Sequence, residues 1–325
     1  VMDNTMHIIQ TSLDRVNKDR EDSLTFHWHA YAKQIDDGGF SDSYDSQSLV
    51  TRYEKKINSL EKLSFGYGSE YKYDWGVFIN EGAAFNSATK GHVKDLAIFA
   101  NAGYKILDNT TISLYGRKDN HNTAGENNTY RINLLQKVNN SFNFGASTST
   151  GARNPTLYEL FGSNNFGYRG NINLKAEKSK TNEIYASYNF LDNYTFSTTA
   201  YRTNLSDRLE FNNAFTATEN KILDLNHDGV ENEFKYEGKK QNLSIFADFA
   251  SSKTLTGQKQ LRRPDLKYGV KYFVNSVIED FNMNLNYVHT GKHLDFDTTT
   301  VVAKATDLID VKFFKDFNGS IWSLS

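Results

Sequence analysis

The stretch "FNMNLNYVH", Phe281 to His289, decides the fold. Phe281, Met283, Leu285 and Tyr287 fall on one side of an extended chain, and Asn282, Asn284 and Asn286 fall on the other. A helix would scatter those residues around its whole circumference, so a period of two belongs to a strand. In "LTFHWHAYAK" Leu24, Phe26, Trp28, Ala30 and Ala32 oppose Thr25, His27, His29, Tyr31 and Lys33; in "SFNFGAS" Phe142, Phe144 and Ala146 oppose Asn143, Gly145 and Ser147. Further strands are expected near 5–16, 46–57, 62–75, 92–106, 110–119, 128–138, 179–190, 194–212, 234–250, 263–274, 305–316 and 319–325. That makes about fifteen segments, most of about ten residues, the length a tilted strand needs to cross a bilayer.

Composition narrows what the strands enclose. Of 325 residues 38% are hydrophobic and 14% aromatic, with 19 Tyr and 23 Phe but 3 Met, 2 Pro and no Cys. A sandwich core would favour Val, Ile and Leu, whereas these apolar faces are rich in Phe, Tyr, Trp and Ala. A barrel with lipid outside and a wet interior accounts for both faces at once. A net charge of −2 argues against a nucleic-acid partner, and the missing Cys excludes a disulfide scaffold or a Cys-ligated zinc. No apolar run approaches the roughly 18 residues of a spanning helix, so a membrane reading requires strands. No secretory leader precedes Val1, which suits a cytoplasmic protein or a piece beginning in mid-chain.

Connections alternate in kind. Tight ones are expected at 107–109, 138–140 and 191–193, and long polar ones at 36–45, 76–91, 152–178, 213–233 and 296–304. Short turns at one rim and long loops at the other are the asymmetry of an outer-membrane barrel.

The most irregular stretch is "GARNPTLYELFG" from Gly151, followed by "GNINLKAEKSKTNEIYASYNF" from Gly170. It resembles the TonB-dependent outer-membrane receptors, whose barrels carry an "APxLxEL(Y/F)" segment, a long loop and then "GNPxLxPEKSxxxExGxxY". Gly170, Asn171, Asn173, Leu174, Glu177, Lys178, Ser179 and Glu183 match, while Ile172 and Ala176 stand where prolines are usual. Arg117, Asp119 and His121 resemble the family's Arg-Asp-x-His strand end. Within the family "RKDNHNTAGENNTYR", "RTNLSDRLEF" and "LRRPDLKY" are most similar to the vitamin B12 (cobalamin) receptors.

The resemblance implies an all-β fold: a transmembrane antiparallel β-barrel, here partial, with about 15 of about 22 strands. It implies one partial barrel domain over 1–325, without the family's plug, its energy-coupling box or its terminal aromatic strand. It further implies a Gram-negative outer-membrane receptor for active transport that takes a small-molecule ligand, cobalamin or a metal chelate, in extracellular loops. Its partners would be outer-membrane lipid, lipopolysaccharide, and the TonB complex through the plug. A siderophore or haem receptor shares these fold motifs, and a passive porin or structural barrel is the reading of another class. No nucleophile elbow, P-loop or zinc helix points to an enzyme, and no cofactor is required.

Loop aromatics are the candidate ligand contacts. Phe166 and Tyr168 lead, with Phe161 and Tyr44 beside them; Phe40 and Phe215 belong to the same class. Calcium in extracellular loops is a second candidate. "DLNHDGVENE" spaces Asp224, Asn226 and Asp228 like the start of a calcium loop, though Lys235 stands where the bidentate Glu belongs. The resemblance adds Asp3, which matches the last of the cobalamin receptors' calcium-binding loop aspartates. His27 and His29 project the same way and could line a polar lumen or hold a metal. Arg262 and Arg263 suit lipid phosphates or simply a polar strand end. The strand is expected to leave the membrane at Arg153 and return near Lys178, with Glu177 and Glu183 facing polar surroundings.

Overall fold

A computed structural model describes residues 2–58, 61–82, 86–278, 281–297, 299–317 and 320–324. In chain order the strands are β1 (Met2–Asn17), β2 (Arg20–Asp37), β3 (Phe40–Ile57), β4 (Leu63–Gly82), β5 (Asn86–Leu107), β6 (Thr110–His121), β7 (Gly125–Lys137) and β8 (Phe142–Arg153). The helix α1 (Leu157–Phe161) follows, then β9 (Glu177–Phe190), β10 (Tyr194–Ser206), β11 (Arg208–Phe211), β12 (Thr218–Lys221), β13 (Leu225–Glu237) and β14 (Gln241–Thr254). The chain ends with β15 (Leu266–Ile278), β16 (Phe281–Thr290), β17 (His293–Asp297), β18 (Thr299–Ala303), β19 (Thr306–Phe317) and β20 (Ser320–Leu324).

Among the described residues sixteen strands neighbour one another in sequence order, while β11–β12 and β17–β18 form separate hairpins. Strands β1 to β6 pair antiparallel, each with the next. The same holds from β13 through β16, then β19 and β20. No described helix is long and apolar enough to cross a membrane.

Contacts divide the chain into two units, one of residues 1–132, 149–180 and 205–224, the other of 133–148, 181–204 and 225–325. In the first, the two faces of β5 are opposites. Ile98 is 60% exposed and its neighbour Ala97 1%. Leu96, Ile98 and Tyr104 stand opposite Tyr71, Ser69 and Leu63 on the outer face. A row of large exposed apolar side chains is stable only against lipid or a partner. The inner face is charged: Arg117 Nη2 reaches Glu70 at 2.8 Å and Asp119 at 2.7 Å, and Arg52 bonds Glu70 at 3.2 Å. Both guanidinium groups lie over the Phe99 ring. In the second unit Val230 and Phe249 are cross-strand partners with exposed side chains, and the next pair along the ladder, Glu231 and Asp248, falls on the opposite face. Ser147 Oγ donates to Glu183 there at 2.7 Å, in the polar surroundings expected for that carboxylate.

Several connections are shorter than the sequence suggests. The expected loop 36–45 is a turn at Gly38–Gly39, with Gly38 at φ 49°, so β2 and β3 run up to it. Likewise β4 continues to Gly82 and β5 begins at Asn86; residues 83–85 of that expected loop lie outside the described residues. Polar residues there prolong strands because a paired backbone satisfies its own amides and carbonyls. The expected loop 213–233 contains β12 and the start of β13, and 296–304 is largely β17 and β18, residue 298 being outside the described residues. The single strand expected over 234–250 is two, β13 and β14, split by a turn in which Gly238 N donates to Gln241 O at 2.9 Å. The stretch 194–212 is interrupted at Asp207, whose φ is 51°, dividing β10 from β11. Residues 319 and 325 of the last expected strand lie outside the described residues.

The true long loop is 154–176. Strand β8 ends at Arg153 and Pro155 follows, beyond the ladder where its missing donor is harmless.

Candidate ligand face

The loop starts with a short, well-capped helix. Thr156 Oγ1 accepts from Glu159 N at 3.2 Å, and Thr156 N donates to Glu159 Oε2 at 2.8 Å, the reciprocal pair that satisfies two otherwise orphaned donors. Arg153 Nη1 donates to the same carboxylate at 3.1 Å. This fixes which side of α1 turns inward: Leu160 packs with Val93, Leu174 and Leu209, and Leu157 and Phe161 close the cluster. That small core lies between the loop and β5. Gly91 makes the approach possible, because a methyl there would overlap the Phe161 ring.

On its other side α1 carries Tyr158. Its ring meets Tyr44 at 5.7 Å and Phe78 at 5.8 Å, both edge-on, and stacks on Tyr168 at 4.8 Å. Burial pushes the hydroxyls of Tyr158 and Tyr168 above the ordinary phenol range, because ionisation would place a charge where water is scarce. Tyr168 Oη and Thr218 Oγ1 share a hydrogen bond of 3.0 Å.

Thr218 belongs to the β11–β12 hairpin, which is bound to the loop along its length. Arg169 N donates to Thr216 O at 2.8 Å, Asn171 Nδ2 to Thr218 O at 3.2 Å, and Lys175 N to Asn220 Oδ1 at 2.9 Å. Glu177 receives Leu209 N at 3.1 Å, in the polar setting expected for it. Loop and hairpin therefore form one piece.

A polar cluster holds the loop tip to the strand ends. Asn80 Nδ2 donates to Asp42 Oδ1 at 2.8 Å and to Ser163 O at 3.0 Å. Ser163 Oγ donates to Asn80 Oδ1, and Ser87 Oγ does so at 2.9 Å. Asp42, Asn80 and Ser163 are all buried.

The four aromatic candidates thus separate. Tyr44 and Tyr168 flank Tyr158, and Phe161 sits in the small core. Tyr168 is 2% exposed and holds the loop's interior, whereas Phe166 is 74% exposed at the tip with Phe40 edge-on at 5.1 Å. Phe211 and Phe215 are exposed on the hairpin, and Phe215 sits in the left-handed region at φ 57°, an unusual place for a bulky side chain. Sequence reading did not find Asp42, Asn80 and Asn165. Nothing local marks them, apart from the Asn-rich "GSNNFG" of the loop.

The metal candidates do not converge on one loop. Asp3 lies on β1 opposite Gln34. Asn226 and Asp228 are on strand β13 rather than in a loop; Asn226 accepts from Asn204 at 3.2 Å and Asp228 pairs with Arg202 at 2.7 Å. Asp224 precedes that strand. His27 and His29 meet edge-on at 5.7 Å. Among the described residues no group of three or more His, Asp or Glu is placed to hold a metal ion. Arg262 is engaged with Asp295 at 2.6 Å, and His121 Nδ1 accepts Ala124 N at 3.1 Å, closing the turn after β6.

Residues 8–325 match the family described as TonB dependent receptor-like, beta-barrel. The vitamin B12 transporter BtuB of Photobacterium profundum is 22% identical over 274 residues, covering 82% of this chain and 43% of that protein. The siderophore receptor PirA of Acinetobacter baumannii superposes with a TM-score of 0.78 at 15% identity, covering 97% of this chain and 57% of that one. The copper transporter OprC gives a TM-score of 0.78 at 11% identity, with 97% and 59% coverage. The chain spans about half the length of these relatives. With its apolar outer and charged inner faces, the chain belongs to the TonB-dependent receptor-like β-barrel family, whose members lie in the outer membrane.

Proposed function

We propose that this chain is the wall and part of the ligand face of an active-transport receptor that takes cobalamin through the outer membrane. The observation that carries the transport reading is the contrast between the two wall faces, exposed Leu96 and Ile98 outward and the Arg52–Glu70–Arg117–Asp119 network inward. Such a wall suits a solute path rather than a reaction centre. The outer membrane holds no nucleotide energy source, so work would reach the ligand from a TonB complex acting on a plug.

The ligand is argued from sequence likeness to a vitamin B12 transporter, together with the exposed rings at the loop tip, which suit a large ligand with apolar edges. The structural relatives, at 15% and 11% identity, share the fold and do not choose between ligands. The test is growth of a strain lacking its own B12 receptor, with the protein expressed from its gene. Rescue on limiting cyanocobalamin is expected; no rescue, with restored uptake of a ferric siderophore, would overturn the cobalamin reading.

A further inference from the structure

The loop tip is fixed through one buried carboxylate. Asp42 Oδ1 accepts the Asn80 side-chain amide at 2.8 Å and that of Asn165 at 2.7 Å. The main-chain N–H of Asn165 is directed at both Asp42 oxygens, at 3.3 and 3.4 Å. Asn165 spreads its amide further, to Ser41 O at 3.3 Å and Glu81 O at 3.5 Å. A carboxylate out of water is tolerable only while hydrogen bonds replace its hydration. Here two of those donors come from the loop tip, so the electrostatics of a β3 residue are tied to the loop's geometry.

The next residue is Phe166, the exposed ring of the loop, braced edge-on by Phe40 two positions before Asp42. On the other side Arg169 N is bonded to Thr216 O, so the turn carrying Phe166 is held at both ends. A ring presented on a backbone already fixed loses little freedom when a ligand lands on it.

We propose that Asp42 is the positioning residue of the ligand face, holding Asn165 so that Phe166 is set in place before any ligand arrives. This deepens the receptor reading and rests on it for the ligand arm of the test. The protein expressed from its gene is compared as wild type, Asn165→Ala, Asp42→Ala, Phe166→Ala and the exchanged pair Asp42→Asn with Asn165→Asp. Two quantities are read: amide hydrogen exchange over 164–168 without ligand, and the half-saturating concentration and maximal rate of cyanocobalamin uptake.

Asn165→Ala and Asp42→Ala are expected to speed that exchange about tenfold and raise half-saturation about tenfold with the maximal rate unchanged, the size of one charge-assisted hydrogen bond. The exchanged pair again sets an amide against a carboxylate but turns the carboxylate on Ser41 O and Glu81 O, so only part of either is regained. Phe166→Ala, at an exposed position, raises half-saturation alone. Should Asp42→Ala fail to assemble, Asn165→Ala reports the same bond from the loop side. Unchanged exchange in Asn165→Ala overturns the clamp, and wild-type half-saturation in Phe166→Ala overturns its link to the ligand. Absence of cyanocobalamin uptake by the wild type overturns the cobalamin reading instead, and exchange, which needs no ligand, still decides the clamp.

Discussion

Tyr158 and Tyr168 lie face to face, their ring centroids 4.8 Å apart and their planes 7° from parallel. This contact joins the short helix at the start of the loop to the arm that returns beneath the hairpin. Through it a capping box, a small apolar core and a polar clamp act on one rigid piece of chain.

Removing the hydroxyl from one side of that stack isolates the hydrogen bond. Tyr168→Phe keeps the ring but leaves Thr218 Oγ1 without its partner at 3.0 Å. Loosening of the loop by about 1 kcal/mol is expected. It is read as the local opening free energy from hydrogen exchange over 162–176, with the strand amides of β3 and β4 unaffected.

The same two rings give the loop an alkaline limit. Burial raises both hydroxyls above their ordinary value, so the packed loop prefers the neutral phenols. The stability they contribute is complete below about pH 10, the value of an unfolded tyrosine, and is lost as pH climbs through the raised folded values. Absorbance titration should find late-ionising tyrosines among the 19, with one fewer in Tyr168→Phe. Titration of all of them near the ordinary value would contradict the packing.

Gly91→Ala tests the seat of the helix. The added methyl would overlap the Phe161 ring, whereas one at Gly116 meets nothing within 4 Å. A loss of about 1–3 kcal/mol is expected for the first and little for the second. Thermal denaturation of the detergent-purified protein, with the Gly116→Ala variant as control, supplies the comparison.

Ile98→Arg tests the direction of the wall. Ile98 is exposed on the outer face, beside inward Ala97 and Phe99. A cation at mid-depth in lipid costs about 2–4 kcal/mol. The folded, outer-membrane fraction of the protein should fall accordingly, and an unchanged fraction would mean this face does not meet lipid.

The sequence by itself determined most of the strands, their two faces and the family, because alternation is local: each residue's face follows from its neighbours one position away. Arg153, Pro155 and the "GNINLKAEKS" return were legible for the same reason, as departures from that rhythm. Only the tertiary structure decided how tall the strands are, since the polar stretches 36–45 and 76–91 read as loops until pairing of β3 with β4 and of β4 with β5 satisfied their backbones. The tertiary structure alone also divided the loop's aromatics into a buried Tyr168 and an exposed Phe166. The clamp beneath them joins Asp42 to Asn165 across 123 positions of chain. No local pattern encodes such a pair: it exists because the register of three long strands brings their ends to one height, where the returning loop can meet them.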